Sequence, residues 1–597
     1  MQDLEVPVLI VGGGGCGLSS SIFLSDLGVD HLLVERHTTT SHLPKAHYLN
    51  QRSMEVFRQH HLADDIYAVG TPMEHLGNVG WMTSLGGDRP LDRQWITRMD
   101  SFGGGALREQ YLADSPVTAC NYPQIRLEPL LKGEAEKRAP RKLLFNHEMV
   151  TFTQDADGVS AQVRDRADGS VGSVRTKYLI AADGGKSIGQ MLDVTMDGPT
   201  GLLDMVSVHF TADLSEFYDS SCVMIWLVNP EGAGSWGSGV LVQMGPTWGK
   251  SEEWVVHFTV RPDDPGRWDD SAAISRIRDL LKIPGLELQV HKVSHWILEG
   301  VLASRYGVGR VFLAGDAAHR HPPTNGLGMN SAFQDAHNLA WKLSAVLREE
   351  AAPSILESYE VERRPVGMRN VDWAMFTFLN HMVLDAGLGL RPGMSVAEQE
   401  AEFTAFFSDT PMGETRRARA AEVFSTQRTE FQAHDLEIGY RYDEGALVHD
   451  GTEPPPRDPM GNIHYPTTRP GHRLPHAWLE VAGKQISTLD LVGRAGQFLL
   501  ITGPDGEAWC DVAGKVAENF GISLRAVRIG AECEFADCTG RWNVVRQIDD
   551  DGAIIIRPDN HVGWRSKTIA ADISSELEHA FTAILGRGSR SIPATTR

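Results

Sequence analysis

Residues Val8 to His37, VLIVGGGGCGLSSSIFLSDLGVDHLLVERH, constrain the fold more than any other stretch of this chain. The apolar run Val8-Leu9-Ile10-Val11 has the length and β-branched content of a buried parallel strand. Leu18, Ile22, Phe23, Leu24 and Leu27 then recur at helical intervals, and Gly28 supplies a stop. A second strand, His31 to Val34, ends at Glu35. Between the first strand and the helix, Gly12, Gly14 and Gly17 fit G-x-G-x-x-G. The first glycine permits a tight turn, the second lets backbone approach a pyrophosphate, and the third lets helix pack on strand. Phosphate belongs on the helix N-terminus, and Glu35 is placed to accept from a ribose hydroxyl. The order strand, turn, helix, acid therefore predicts a dinucleotide site for FAD or NAD. A second match, Gly232, Gly234 and Gly237, runs into the strand-like Val240-Leu241-Val242 with no helix to hold phosphate, and reads as a hairpin loop.

A chain of 597 residues has room for two to four domains at roughly 150 residues each. Its 56 Lys and Arg stand against 78 Asp and Glu, a net charge of -22, which excludes the basic footprint of a nucleic-acid or anionic-membrane binder. No stretch is apolar for the roughly 18 residues a membrane span needs, and no leader pattern precedes the first strand, so a cytoplasmic protein is expected. Six cysteines are too sparse for a disulfide framework, and Cys16, inside the glycine turn, reads as a packing residue.

Beyond the dinucleotide unit, residues 158–185 alternate apolar and polar positions and lead into a buried strand at Tyr178 to Ala182. Residues from about 200 to 300 are rich in strand-like runs, which predicts an antiparallel sheet inserted into the first domain. Met224 and Trp226 alternate on one such strand and so share a face. A parallel-type strand returns at Val311 to Ala314, followed by a helix with Ala332, Phe333, Ala336, Leu339, Ala340 and Leu343 on one face. Residues 451–470 have linker composition. The remainder reads as a small α/β domain: strand Phe498 to Thr502, helix from about Trp509 to Phe520, strand Leu524 to Ile529, and a strand before RPDNHVGWR.

One segment separates FAD from NAD. LAGDAAHRHPPTNGLGMNSAFQDAHNLAWKL puts Asp316 at a strand end, where it can accept from a ribityl hydroxyl, and then Gly326 to Asn330 at the start of a long helix. Backbone N–H groups and a helix dipole there stabilise negative charge, which a reduced flavin ring carries and a nicotinamide does not. His319 and His321 form H-x-H without a third ligand at suitable spacing, so no metal is expected.

The motifs GGGGCG, ADGG, LAGDAAHRHPP and GLGMNSAFQDAHNLAWKL, in that order, resemble the single-component FAD-dependent aromatic hydroxylases of the para-hydroxybenzoate and phenol hydroxylase type. PKAHYLNQRSMEVFR, CNYPQIRLEPLL, STLDLVG and IIIRPDNHVGWR resemble more narrowly the 2-hydroxybiphenyl 3-monooxygenase and 2,4-dichlorophenol 6-monooxygenase branch. This resemblance implies an α/β fold: a Rossmann-like FAD-binding domain with an inserted antiparallel-sheet substrate domain and a C-terminal thioredoxin-like domain. The expected boundaries are 1–195 (with a substrate-side insertion near 80–110) and 298–395 for FAD, and 196–297 for the substrate sheet. A helical connector and linker would span 396–465, and the thioredoxin-like domain 466–597, where Cys510 stands alone without a C-x-x-C.

The resemblance further implies non-covalent FAD reduced by NADH or NADPH, O2 adding to give a C4a-hydroperoxide, and oxygen transfer to the ring of a phenol. Chloro-, alkyl- or arylphenols are the expected substrates, with a polycyclic polyketide aromatic as the alternative and a non-hydroxylating FAD sensor as a third reading. A halogenase is disfavoured because its WxWxIP signature is missing. A homodimer or homotetramer is expected. Carried over by residue, Gly12, Gly14, Gly17, Glu35 and Arg36 would hold the ADP half; Gln124 and Asp316 the ribityl chain and pyrophosphate; Leu327, Gly328, Met329 and Asn330 the flavin ring edge; Lys45 would contact a flavin or nicotinamide phosphate, and Val150 is a further cofactor-binding position. Family members commonly carry Arg at Lys45, and Arg after the DG element where this chain offers Lys186 and Gln190. Met224, Trp226, Gln243 and Pro323 would line the substrate pocket, with His47 as the base that takes the phenolic proton.

Overall fold

The computed structural model describes residues 3–231, 238–260, 264 and 266–588; Gly232, Gly234 and Gly237 lie outside them. Strand β1 (Leu4–Val11) opens the chain, and Val8, Leu9 and Ile10 are fully buried because both faces of the strand are covered. Helix α1 (Gly15–Asp26) follows, closed by Gly28 at φ 72°, and leads to β2 (His31–Glu35). The chain then leaves this sheet to form β3 (Asn78–Met82) and β4 (Trp95–Asp100), returns through helix α2 (Gln124–Arg138), re-enters at Leu143–Phe145, which pairs in parallel with β2, and reaches β5 (Val171–Ala181) through an antiparallel excursion.

Five strands follow in the insertion: β6 (Asp204–Thr211), β7 (Cys222–Leu227), β8 (Gly239–Gly245), β9 (Glu253–Val260) and β10 (Gln289–Ile297). With β3 and β4 they form one seven-stranded sheet in the order β10-β6-β9-β8-β7-β3-β4. The expectation of an antiparallel sheet holds except at β7–β3, which pair in parallel: β3 arrives by a separate crossing from the first domain and not through a hairpin. Strand β11 (Val311–Leu313) restores the first sheet, where Val11 pairs with Val34 and Ala181, and Ala181 with Leu313. With Leu143–Phe145 beside β2, the carboxyl ends of five parallel strands thus share one rim, where ligands of such sheets bind.

From that rim rises helix α3 (Leu327–Leu347), with helix α4 (Glu357–Asn380) packed along it. The C-terminal unit runs β12 (Phe498–Thr502), α5 (Glu507–Phe520), β13 (Leu524–Arg528), β14 (Ala553–Ile556), β15 (Val562–Ser566) and α6 (Ile573–Ile584), a βαβ followed by ββα. Helix α5 starts at Glu507, two residues before the sequence expectation, with that acid in its first turn, where the helix dipole favours negative charge. Cys510 on this helix is a free thiol. Among the described residues no helix is long and apolar enough to cross a membrane.

Candidate active site

The glycine turn is shaped partly by the protein and partly for something else. Gly12 adopts φ +115°, and a Cβ there would meet Ala182 O at 2.1 Å; at Gly17 it would meet Gly12 O at 1.9 Å. Both glycines are demanded by packing. At Gly14 the nearest atom to an added Cβ is Glu128 Oε1 at 3.4 Å, and φ is an ordinary -82°, so nothing in the protein requires glycine. Gly14 is also the N-cap of α1 and caps it with no side chain, which leaves the opening for an anion. Gly14→Ala is therefore expected to leave the apoprotein's thermal unfolding unchanged and to weaken FAD binding about tenfold or more, the cost of one displaced charged hydrogen bond. Equilibrium dialysis against FAD checks it; unchanged affinity would remove Gly14 from the site.

Glu35 is held in place by two backbone donors, Gly13 N at 2.7 Å and His37 N at 2.8 Å. Arg36 is exposed beside it, and Val150 lies on the strand His147–Gln154 that packs alongside β2. The structure adds a residue that sequence reading missed. Glu128, 1% exposed, accepts from Gly15 N at 3.1 Å, Ser41 N at 3.0 Å and Gln124 Nε2 at 2.6 Å. Burial pushes its carboxyl above the usual range, opposed first by the Gln124 hydrogen bond and, more weakly, by the nearby charge of Lys45. Gln124 thus reaches the turn through Glu128, four residues on along the same helical face, and that spacing was the one available signal.

Cys16 donates to Ala332 O at 3.5 Å, and a Cβ on Gly15 would meet Phe333 Cε1 at 3.1 Å, so the first turns of α1 and α3 converge. Burial raises the Cys16 thiol well above its ordinary value, which keeps it protonated. Helix α3 begins after Gly326 at φ 62°, again with no side-chain cap, and its first N–H groups, on Leu327, Gly328 and Met329, precede any intrahelical acceptor. Asn330 has its side chain engaged within the protein. It is 1% exposed, its amide donates to Tyr48 O at 2.9 Å and Gly326 O at 2.6 Å, and its oxygen accepts Asn50 N at 3.0 Å. Its side chain holds this loop, and its backbone is the part left for the flavin edge. Pro323 is exposed and its carbonyl accepts Gly326 N at 3.1 Å; Asp316 is exposed at the end of β11. Two helix N-termini whose N-cap residues are glycines, the first with its Gly15 N held by Glu128, lie beside one glycine cradle, and with Glu35 and Asp316 on the same rim they fit a long dinucleotide such as FAD. His319 is bonded to Asp335 at 2.8 Å, and among the described residues no group of three His, Cys, Asp or Glu is placed to hold a metal ion.

Over this loop lies the inserted sheet. Val240 pairs with Trp226 and Val242 with Met224, so these four share the face whose apolar cluster includes Tyr48 and Phe102. Trp226 stacks on Trp81 at 5.2 Å between ring centroids. Gln243 corrects the sequence reading. It falls between Val242 and Met244 in the alternation and pairs with Trp254, which puts it on the opposite face. There its amide donates to Cys222 O at 3.0 Å and accepts Gly249 N at 3.1 Å, ordering a turn away from the pocket.

His47 immediately precedes the short ladder between Tyr48–Leu49 and Cys120–Asn121. Its Nδ1 lies 2.6 Å from Asn121 Oδ1, while Asn121 Nδ2 donates to Thr71 Oγ1 at 2.8 Å. An amide oxygen only accepts, so the proton sits on Nδ1 and Nε2 keeps its lone pair. Burial pushes this imidazole below 6.5, against the Asn121 hydrogen bond, so it is neutral at pH 7.

Comparison with known proteins bears on the family and the fold. The family described as FAD binding domain matches residues 5–374, and that described as aromatic-ring hydroxylase, C-terminal, matches residues 467–588. The chain is 35% identical over 579 residues, 96% of its length and 92% of the relative's, to a phenol 2-monooxygenase of Pseudomonas sp. (strain EST1001). It is 34% identical over 593 residues, 98% and 97% of the two chains, to a 2,4-dichlorophenol 6-monooxygenase of Cupriavidus pinatubonensis. Among solved structures, the flavin-dependent monooxygenase PieE in complex with FAD and substrate superposes with a TM-score of 0.91 at 37% identity, covering 98% of this chain and 100% of that one.

Proposed function

Since the chain belongs to the aromatic-ring hydroxylases built on this FAD-binding domain, we propose that it hydroxylates a substituted phenol with His47 as the base that takes the phenolic proton. The protein is an FAD-dependent aromatic monooxygenase. NAD(P)H, a proton, O2 and the phenol yield NAD(P)+, water and a ring bearing one more hydroxyl. FAD, when bound, carries the electrons to O2 and delivers one oxygen atom to the ring.

Segments 1–195 and 298–395 hold FAD in this reading, through the glycine turn, Glu35, Asp316 and the first turn of α3. The observation that carries the role of His47 is its unprotonated Nε2, with Nδ1 fixed by Asn121 and the ring close enough to His257 of the inserted sheet to influence it electrostatically. Electrophilic oxygen attacks a phenolate far faster than a phenol, so removing that proton speeds the step. Trp226 and Met224 offer the flat, apolar contact an aromatic ring needs.

Stopped-flow measurement of FAD reduction by NAD(P)H is expected to show acceleration on adding chloro-, alkyl- or arylphenols, with product hydroxylated on the ring. Absence of stimulation and of product across such a panel would overturn the phenolic assignment.

A further inference from the structure

We propose that His257 is a second substrate-contacting residue, whose Nε2–H donates to an oxygen of the ring compound other than the hydroxyl that His47 addresses. It deepens the hydroxylase reading and rests on it. Consecutive cross-strand pairs set Ser207, His257, Val240, Trp226 and Trp81 in one transverse row of the inserted sheet. Directly paired residues point to the same side, so His257 shares the face of Trp226, two strands away. Its neighbour Val255 packs in the same cluster as Met224 and Val242, whereas Val256 belongs to the other face.

The ring is oriented from behind. Trp296 Nε1, which only donates, bonds Ser207 Oγ at 3.0 Å, and Ser207 Oγ lies 2.7 Å from His257 Nδ1. Ser207 is 3% exposed, and among the described residues His257 Nδ1 is the one acceptor its hydroxyl meets. The buried hydroxyl is satisfied when it donates to Nδ1, which places the imidazole proton on Nε2. No described residue takes a hydrogen bond from Nε2, although His257 is half-buried. His31, 2% exposed, by contrast spends Nε2 on Ser21 at 2.7 Å and Nδ1 on Val29 O at 2.9 Å, whereas His60 and His561 each keep one ring nitrogen sealed in the interior without a partner among the described residues.

The two imidazoles are therefore complementary, His47 offering a lone pair and His257 an N–H. Burial, reinforced by the electrostatic influence of His47, pushes His257 down to about 3, so it stays a neutral donor across the working range. A single hydroxyl engages one of the two groups. A ring with two oxygen substituents engages both, which makes His257 a determinant of substrate choice.

The test is calorimetric titration of the FAD-loaded enzyme with catechol, resorcinol and hydroquinone, each against the cresol of matching substitution. Wild type is expected to bind at least one diol about tenfold tighter than its cresol, the worth of one added hydrogen bond. His257→Leu should erase that preference and leave cresol affinity unchanged. His257→Gln, which keeps a donor near the Nε2 position and guards against a folding defect, should retain most of it, and Ser207→Ala should reduce it by freeing the tautomer. Equal affinity for diols and cresols in wild type, or parallel losses for both in His257→Leu, would overturn the assignment while leaving the hydroxylase reading intact. A wild type that binds neither class would overturn both.

Discussion

His47→Gln is expected to keep FAD bound and to slow ring hydroxylation by about 10²-fold, the lower end of what a lost general base costs. Glutamine can still donate to Asn121 Oδ1, so the loop carrying residue 47 should keep its place, but an amide takes no proton at neutral pH. Reduction of FAD by NAD(P)H should change less, because hydride transfer does not need the phenolate. The electrons then reach O2 without a reactive ring to accept oxygen, and hydrogen peroxide should account for a larger share of the NAD(P)H consumed. The pH profile separates a base from a spacer. His47 acts in its neutral form and its imidazole titrates below 6.5, so the acid limb of kcat/KM in wild type should lie below pH 6.5. In His47→Gln that limb should vanish, and the rate should climb toward the phenol's own pKa near ~10, where solvent makes the phenolate. Full coupling and wild-type turnover at pH 7 would make His47 structural.

Arg557→Leu is expected to destabilise the fold by about 3–5 kcal/mol, since removing one member of a buried ion network strands the others. Arg557, fully buried, donates Nη1 to Glu362 Oε1 at 2.7 Å, Nη2 to Glu362 Oε2 at 2.9 Å and Nε to Asp559 Oδ1 at 3.0 Å. Lys342 Nζ adds 2.7 Å to Glu362 Oε2 and 2.9 Å to Asn338 Oδ1. Burial alone would raise the Glu362 carboxyl, but Arg557 first and Lys342 second pull it down to about 2. A depressed carboxylate contributes stability that is present above its unfolded value of 4.5 and lost as pH falls toward 2. Without Arg557 the carboxyl protonates more readily, so the deficit of the variant should shrink as pH drops from 7 to 4.5. Urea unfolding at both values checks the sign. A variant as stable as wild type at pH 7, or a deficit that widens in acid, would show that the network carries no such weight.

What could be read in the sequence was local. The unit β1-α1-β2 declares itself because its pattern closes within thirty residues, from Val8 to His37. Met224 and Trp226 were legible as a pair because strand alternation needs no partner. The same alternation argued against Gln243, which sits between Val242 and Met244, and there the family resemblance prevailed over the simpler geometry. His257 gave no signal, because in EWVVHFTV it resembles any polar position of a half-buried strand, and its meaning comes from Ser207, paired across fifty residues. Glu128 was hidden for a related reason: its three donors come from Gly15, Ser41 and Gln124, two of them far away in the chain. The ion network was beyond reach, with Arg557 meeting Glu362 across 195 residues.

The run of Asn338 and Lys342 along α3, whose first turn ends at the flavin loop, bears on how such a chain can be inherited. Arg557 and Asp559 come from the segment after β14, and Glu362 and Lys342 from α4 and α3; each half carries one charge of either sign, but the two guanidinium N–H groups that Glu362 accepts come only from the other half. A recombination joint anywhere in the linker between them hands the offspring a counterion fitted to a different parent. Transplanting the C-terminal portion from a relative is therefore expected to keep this chain's stability only where positions 342, 362, 557 and 559 carry matching side chains.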